Sequence, residues 1–137
     1  MPDCVLRVHG PSKKVRAFLS RTTLKPCTTY FAGEPITPAS SRVSRRSGFN
    51  VVASRADGDL PAQVRDALRF LERHAEELKE LRDFFGPGHG QLDFGLWESS
   101  SDENPWPRFR LPHTLVSAAA RYGFEIKLSF YGPPGGE

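Results

Sequence analysis

The sequence predicts a two-layer α+β sandwich, a mostly antiparallel sheet with its helices on one face. Three observations lead there. Short segments of alternating apolar and polar residues recur along the chain, each apolar on one side only, which excludes a parallel sheet buried on both faces. Between them lie stretches whose apolar residues recur every three or four positions, the spacing of a helix with one buried side. The order reads strand, helix, strand, strand, long helix, strand, helix, strand, with no internal repeat.

In the first strand, Asp3–His9, Cys4, Leu6 and Val8 face one way and Val5, Arg7 and His9 the other. After Gly10-Pro11, Ser12 is placed to cap a helix running to Thr22 that turns Val15, Phe18 and Leu19 to one side. Pro26 ends that stretch, because the residue before a proline is pushed out of helical geometry. Thr28–Ala32 reads as a short strand. Residues 33–48, with Gly33, Pro35, Pro38, several serines and few apolar groups, read as an exposed loop and the first candidate for disorder, with its order left open. Phe49–Ser54 alternates again, with Phe49, Val51 and Ala53 on one face and Asn50, Val52 and Ser54 on the other.

Asp59 then caps a long helix, Leu60–Phe85, with Pro61 tolerated in its first turn. Val64, Leu68, Leu71, Ala75, Leu78 and Phe85 form its apolar stripe, and pairs such as Arg69 with Glu72 or Arg73 with Glu77 lie within reach on the other side. The stripe is too short for a coiled coil, and Gly86–Gly90 stops it. Gln91–Glu98 is a strand with Leu92, Phe94 and Leu96 inward and Asp93, Gly95 and Trp97 outward, followed by a polar loop, 99–107, that holds Trp106. Pro112–Tyr122 forms a third helix. The last strand sets Phe124, Ile126, Leu128 and Phe130 against Glu125, Lys127, Ser129 and Tyr131. The first six elements match a ferredoxin-like βαββαβ core, and the rest adds a C-terminal αβ unit.

The 137 residues, 38% of them hydrophobic, suffice for one domain over residues 1–132 with a core that needs neither disulfide nor metal, and residues 133–137 read as a frayed tail. Two cysteines exclude a disulfide scaffold. No apolar run approaches the roughly 20 residues of a membrane helix, and the start of the chain lacks a secretory pattern, so the expected location is the cytoplasm.

Net charge is +3, but it is unevenly spread. Residues 1–55 hold ten Lys or Arg and two acids, net +8; residues 56–137 hold nine and fourteen, net −5. Arg42, Arg45 and Arg46 fall close together and form a candidate anion-binding loop, although no aromatics interleave with them as stacking on bases requires.

Tests for catalytic chemistry mostly fail. His and Cys are scattered without metal-ligand spacing, so no metal or other cofactor is expected. Cys4 points to the core, Cys27 has no neighbouring histidine, and no Gly-x-Ser-x-Gly elbow occurs. Gly86–Gly90 follows a helix and lacks a Gly-Lys-Ser/Thr ending, so it is no phosphate loop. What remains is the open sheet face, where Arg7, His9, Asp93, Glu125 and Lys127 are expected to gather, against the simpler reading of charge pairs on a wet sheet. Trp97, Tyr131 and Trp106, with Arg108 and Arg110, are the residue types that anchor protein interfaces.

Several stretches resemble a bacterial family described as a domain of unknown function, number 4279. They are Leu6-Arg7-Val8, Ala17-Phe18-Leu19, Leu24-Lys25-Pro26, Phe31-Ala32-Gly33-Glu34-Pro35, Gly48-Phe49-Asn50-Val51-Val52 and Ala119-Ala120-Arg121-Tyr122-Gly123-Phe124-Glu125-Ile126. The resemblance implies a bacterial domain and carries over no activity or site residue. From the residues themselves three functions stand side by side: a non-catalytic protein-binding module of the kind that neutralises a toxin, a small enzyme or ligand binder on the open face, and nucleic-acid binding through the basic half. No membrane partner is expected.

Overall fold

The structure, a computed structural model, describes residues 2–39, 41–97 and 105–132. In chain order the elements are β1 (Cys4–Gly10), α1 (Ser12–Leu19), β2 (Thr28–Tyr30), β3 (Ser47–Ser54), α2 (Leu60–Arg73), α3 (Ala75–Phe85), β4 (Gly90–Trp97), α4 (His113–Arg121) and β5 (Phe124–Tyr131). The α+β class is as the sequence predicts. The strands form one sheet in the order β2-β3-β1-β4-β5. β1 is central and antiparallel to both β3 and β4, β2 is antiparallel to β3, and β5 runs parallel to β4, so the sheet is mixed.

Alternation sets the faces. Cys4, Leu6 and Val8 of β1, Phe49 and Val51 of β3, and Leu92, Phe94 and Leu96 of β4 are buried in one core with Val15 and Phe18 of α1, Val64, Ala67 and Phe70 of α2, Leu78 and Leu81 of α3, and Leu115 of α4. A register shift opposite Cys4 and Val5 pairs Cys4 with Ser54 and Val5 with Val52. That bulge corrects the expected facing of Ser54: it is buried on the helix side, where its hydroxyl donates to Asp66 at 2.7 Å, while Ala53 packs against the core as expected, though only partly buried.

The expected long helix is two. α2 ends at Arg73, His74 leaves helical geometry (φ −106°, ψ 24°), and α3 starts at Ala75. A straight helix of that span would be about 39 Å long against strands of about 26 Å, so an unbroken rod would overshoot the sheet. The break lets α3 turn its own buried side, Leu78, Leu81 and Phe85, against Phe18 of α1. Glu77 does not pair with Arg73; it accepts hydrogen bonds from Thr22 and Thr23 at 2.8 Å each, which ties α3 to the chain leaving α1. Gly86, at φ +86°, ends α3.

Other expectations need smaller correction. Asp59 does cap α2, accepting from the Ala62 amide at 3.5 Å. Ser12 does not cap α1: Pro11 holds the cap position, and the Ser12 hydroxyl bonds that of Ser47 instead. β2 stops at Tyr30. The segment from residue 33 to 46, expected to be an exposed loop, is a hairpin-like excursion: Gly33 donates to Ser44, Ser44 to Glu34 and Ile36 to Arg42, around a bridge between Pro35 and Val43. Ser40, most of the 99–107 loop and the tail at 133–137 lie outside the described residues.

Candidate functional site

The face of the sheet away from the helices carries a polar row across four strands. Arg7 faces Gln91 and Asn50 in register, and Asp93 faces Val5 on one side and Lys127 on the other. Arg7 Nε donates to Asp93 Oδ2 at 3.0 Å, and Ser129 Oγ donates to Asp93 Oδ1 at 2.6 Å. Asn50, its amide oxygen turned toward Arg7, accepts from Nη1 at 3.1 Å. The row therefore runs Asn50, Arg7, Asp93, Ser129. It is not the wet charge pair expected from sequence, because Asp93 is only 5% exposed. With each carboxylate oxygen holding a hydrogen bond and the side chain buried, Asp93 acts as a brace that draws β5 to β4 and β1.

The other polar candidates on this face do not join that row. Lys127 and Glu125 are exposed on β5. His9 lies at the end of β1 against His89, with ring centroids 5.5 Å apart and the His9 carbonyl 3.0 Å from His89 Nδ1. Near it Ser12, Ser47, Arg45 and Arg46 line a recess of about 460 Å³, while Arg42 lines a neighbouring recess on the hairpin with Ile36 and Val43. Among the described residues no three His, Cys, Asp or Glu side chains are placed to share a metal ion. Cys4 is buried beside Asp93, and burial followed by that carboxylate pushes its thiol far above the ordinary range, so it is no nucleophile. Cys27 is exposed and donates to the Asn50 carbonyl at 3.4 Å.

The aromatic candidates divide. Trp97 is half-buried because its indole packs on the turn between β3 and α2: a Cβ added to Gly58 (φ +68°) would lie 2.2 Å from the ring. Tyr131, beside Trp97 in the parallel register, is 46% exposed. Phe130 on the opposite face of β5 is 53% exposed, with the Phe109 ring against it, ring centroids 5.3 Å apart. Trp106, three residues before Phe109, is 83% exposed, and Arg108 and Arg110 flank Phe109, both exposed.

Two features escape sequence reading. Gln63 is fully buried on α2, and its Nε2 lies within hydrogen-bond distance of the carbonyls of Pro2 (3.1 Å), Ala56 (2.9 Å) and Gly95 (2.7 Å), gathering the ends of three strands. Its one signal is a polar residue on the apolar side of the helix, between Leu60 and Ala67. The second is a cleft of about 510 Å³ between the β3 edge, α2 and the chain leaving α1. Pro26 is its signal, since it turns the chain away before β2 can pair with the rest of β3.

Comparison with known proteins places these elements in a family. No curated protein and no solved structure matches the chain. No helix of the described residues is long and apolar enough to cross a membrane. A family profile matches residues 3–133, from just before β1 to just beyond β5, and the chain belongs to the family described as a domain of unknown function, DUF4279.

Proposed function

We propose that the chain is a non-catalytic, cytoplasmic protein-binding module that holds its partner with the far end of β5 and the segment at 105–111 lying over it. The observation that carries this reading is the exposure of Phe130 and Tyr131, on the two faces at the far end of an edge strand, with Phe109 against Phe130 and exposed Trp106, Arg108 and Arg110 in the same segment as Phe109. Large aromatics left in water lose the gain of burial, and together with arginine they are the side chains that dominate interface energetics. β5 also has no strand on its outer side among the described residues, so a partner strand has backbone groups to pair with. Neutralising a toxin by covering its active surface is one form of such a module. An enzyme built on the open face has less support, because Asp93 is already committed to Arg7 and Ser129.

The test is capture on the tagged chain from its native host, at low and then moderate salt, followed by reconstitution with the purified candidate partner. Combined alanine substitution at Trp106, Arg108 and Tyr131 is expected to weaken that complex at least tenfold while the circular dichroism spectrum stays unchanged. Unchanged affinity removes the reading.

A further inference from the structure

The opposite edge of the sheet has a different character. β2 pairs only with Gly48–Asn50, whereas β3 continues to Ser54, and the last bond before the gap is from the Cys27 amide to the Asn50 carbonyl at 2.8 Å. Beyond it the Val51–Ser54 edge has no strand beside it among the described residues and opens into the 510 Å³ cleft. Four cations line that cleft: Lys25, Arg55, Arg69 and Arg73. Arg69 and Arg73 are one helical turn apart on α2 and so lie on the same side. None of the four forms an ion pair with a described residue. The cleft's one carboxylate, Asp66, accepts from Ser54. Buried Leu24 and Phe70 supply an apolar floor.

We propose that this cleft binds an acidic polypeptide segment in extended form, added to the sheet as a strand alongside Val51–Ser54. The open edge supplies backbone hydrogen bonds, which fix an extended chain but do not choose its sequence. The four cations supply the choice, since a segment with Glu or Asp at alternate positions sets carboxylates toward Arg69 and Arg73 and fills the gap left where Pro26 diverts β2. The cleft lies at the other side of the sheet from β5, so this proposal stands independently of the reading above.

A fluorescein-labelled peptide, acetyl-Glu-Val-Glu-Thr-Glu-Val-Glu-amide, titrated with the full chain at low salt tests it by anisotropy, with amide chemical shifts followed in parallel. Binding is expected, with the largest shift at Val52, whose backbone faces the open edge as that of Asn50 does. Methylating alternate peptide nitrogens is expected to weaken it at least tenfold, and so is combining Arg69→Gln with Arg73→Gln, two exposed positions whose change leaves the core intact. A Lys-for-Glu peptide is expected not to bind. Absence of binding at millimolar peptide overturns the proposal and leaves the arginines as guards against edge-to-edge aggregation. Equal binding of the methylated peptide overturns strand addition, and tighter binding of an oligothymidylate to the same residues makes the cleft a nucleic-acid site instead.

Discussion

Arg7 and Asp93 meet diagonally across the β1–β4 ladder: Asp93 stands opposite Val5 and Arg7 opposite Gln91, yet Nε reaches Oδ2 at 3.0 Å. The two ends are unequally wet, the Arg7 side chain being 39% exposed and that of Asp93 only 7%. Removing one partner is therefore not equivalent to removing the other. Arg7→Met strands a carboxylate with Ser129 alone and is expected to cost about 3 kcal/mol. Asp93→Asn frees an arginine that can turn to water, at a cost of about 1–2 kcal/mol. Urea denaturation of both variants checks the order, and a larger loss for Asp93→Asn contradicts this account.

Gln63 gathers the carbonyls of Pro2, Ala56 and Gly95 in the interior. Gln63→Leu keeps the volume but takes the side-chain donor from the Ala56 and Gly95 carbonyls, while Pro2 keeps the Gly58 amide, and a loss of about 2 kcal/mol is expected. Hydrogen exchange is the sharper measurement: the Gly58 amide, which donates to Pro2, and the Gly95 amide, which donates to Asp3, should lose protection ahead of the rest of the sheet.

Gly58→Ala meets two penalties, a positive φ and contact with the Trp97 ring. Together they are expected to cost about 2–3 kcal/mol. Adding Trp97→Ala should relieve the contact and leave the φ cost, so the double variant loses less than the sum of the singles in thermal denaturation.

Acid should lower stability in two steps that trace to the α2–α3 junction. Burial, with help from Arg73 and against Glu77, lowers the His74 imidazole below its ordinary 6.5. Between that lowered value and 6.5 the unfolded chain takes the proton more readily, so stability falls as pH drops below 6.5. Hydrogen bonds from Thr22 and Thr23 lower the Glu77 carboxyl below 4.5, so its contribution is present above 4.5 and is lost as pH falls through the lowered value. Melting temperatures from pH 7 to 3 should show both stages. His74→Gln flattens the first, and Thr22→Val with Thr23→Val flattens the second.

What the sequence made legible was whatever a local period encodes. The alternation of Cys4, Leu6 and Val8 and of Leu92, Phe94 and Leu96 identified both the strands and their buried faces. The capping role of Asp59 followed from one carboxylate before a proline-led helix. Long-range geometry was not legible. The break at His74 answers to the length of the sheet beneath it, and the turned-in Ser54 to a bulge set by pairing with β1. Of the candidate site, Arg7 and Asp93 were found by the side of the strand they occupy, but Ser129 and Asn50 join them only through strand order. The cleft draws on three separate segments, and Pro26 signals only the diversion of one of them.

The place of β1 between β3 and β4 also has a consequence for biosynthesis. The strand synthesised first receives its inner partners only after Ser54 and Trp97 have been made, so the Val8–Gly90 pairing joins residues about eighty positions apart. Until β4 leaves the ribosome, one edge of β1 has no partner. Closing the β1–β4 ladder is therefore a late and non-local step, and slow folding is its natural outcome.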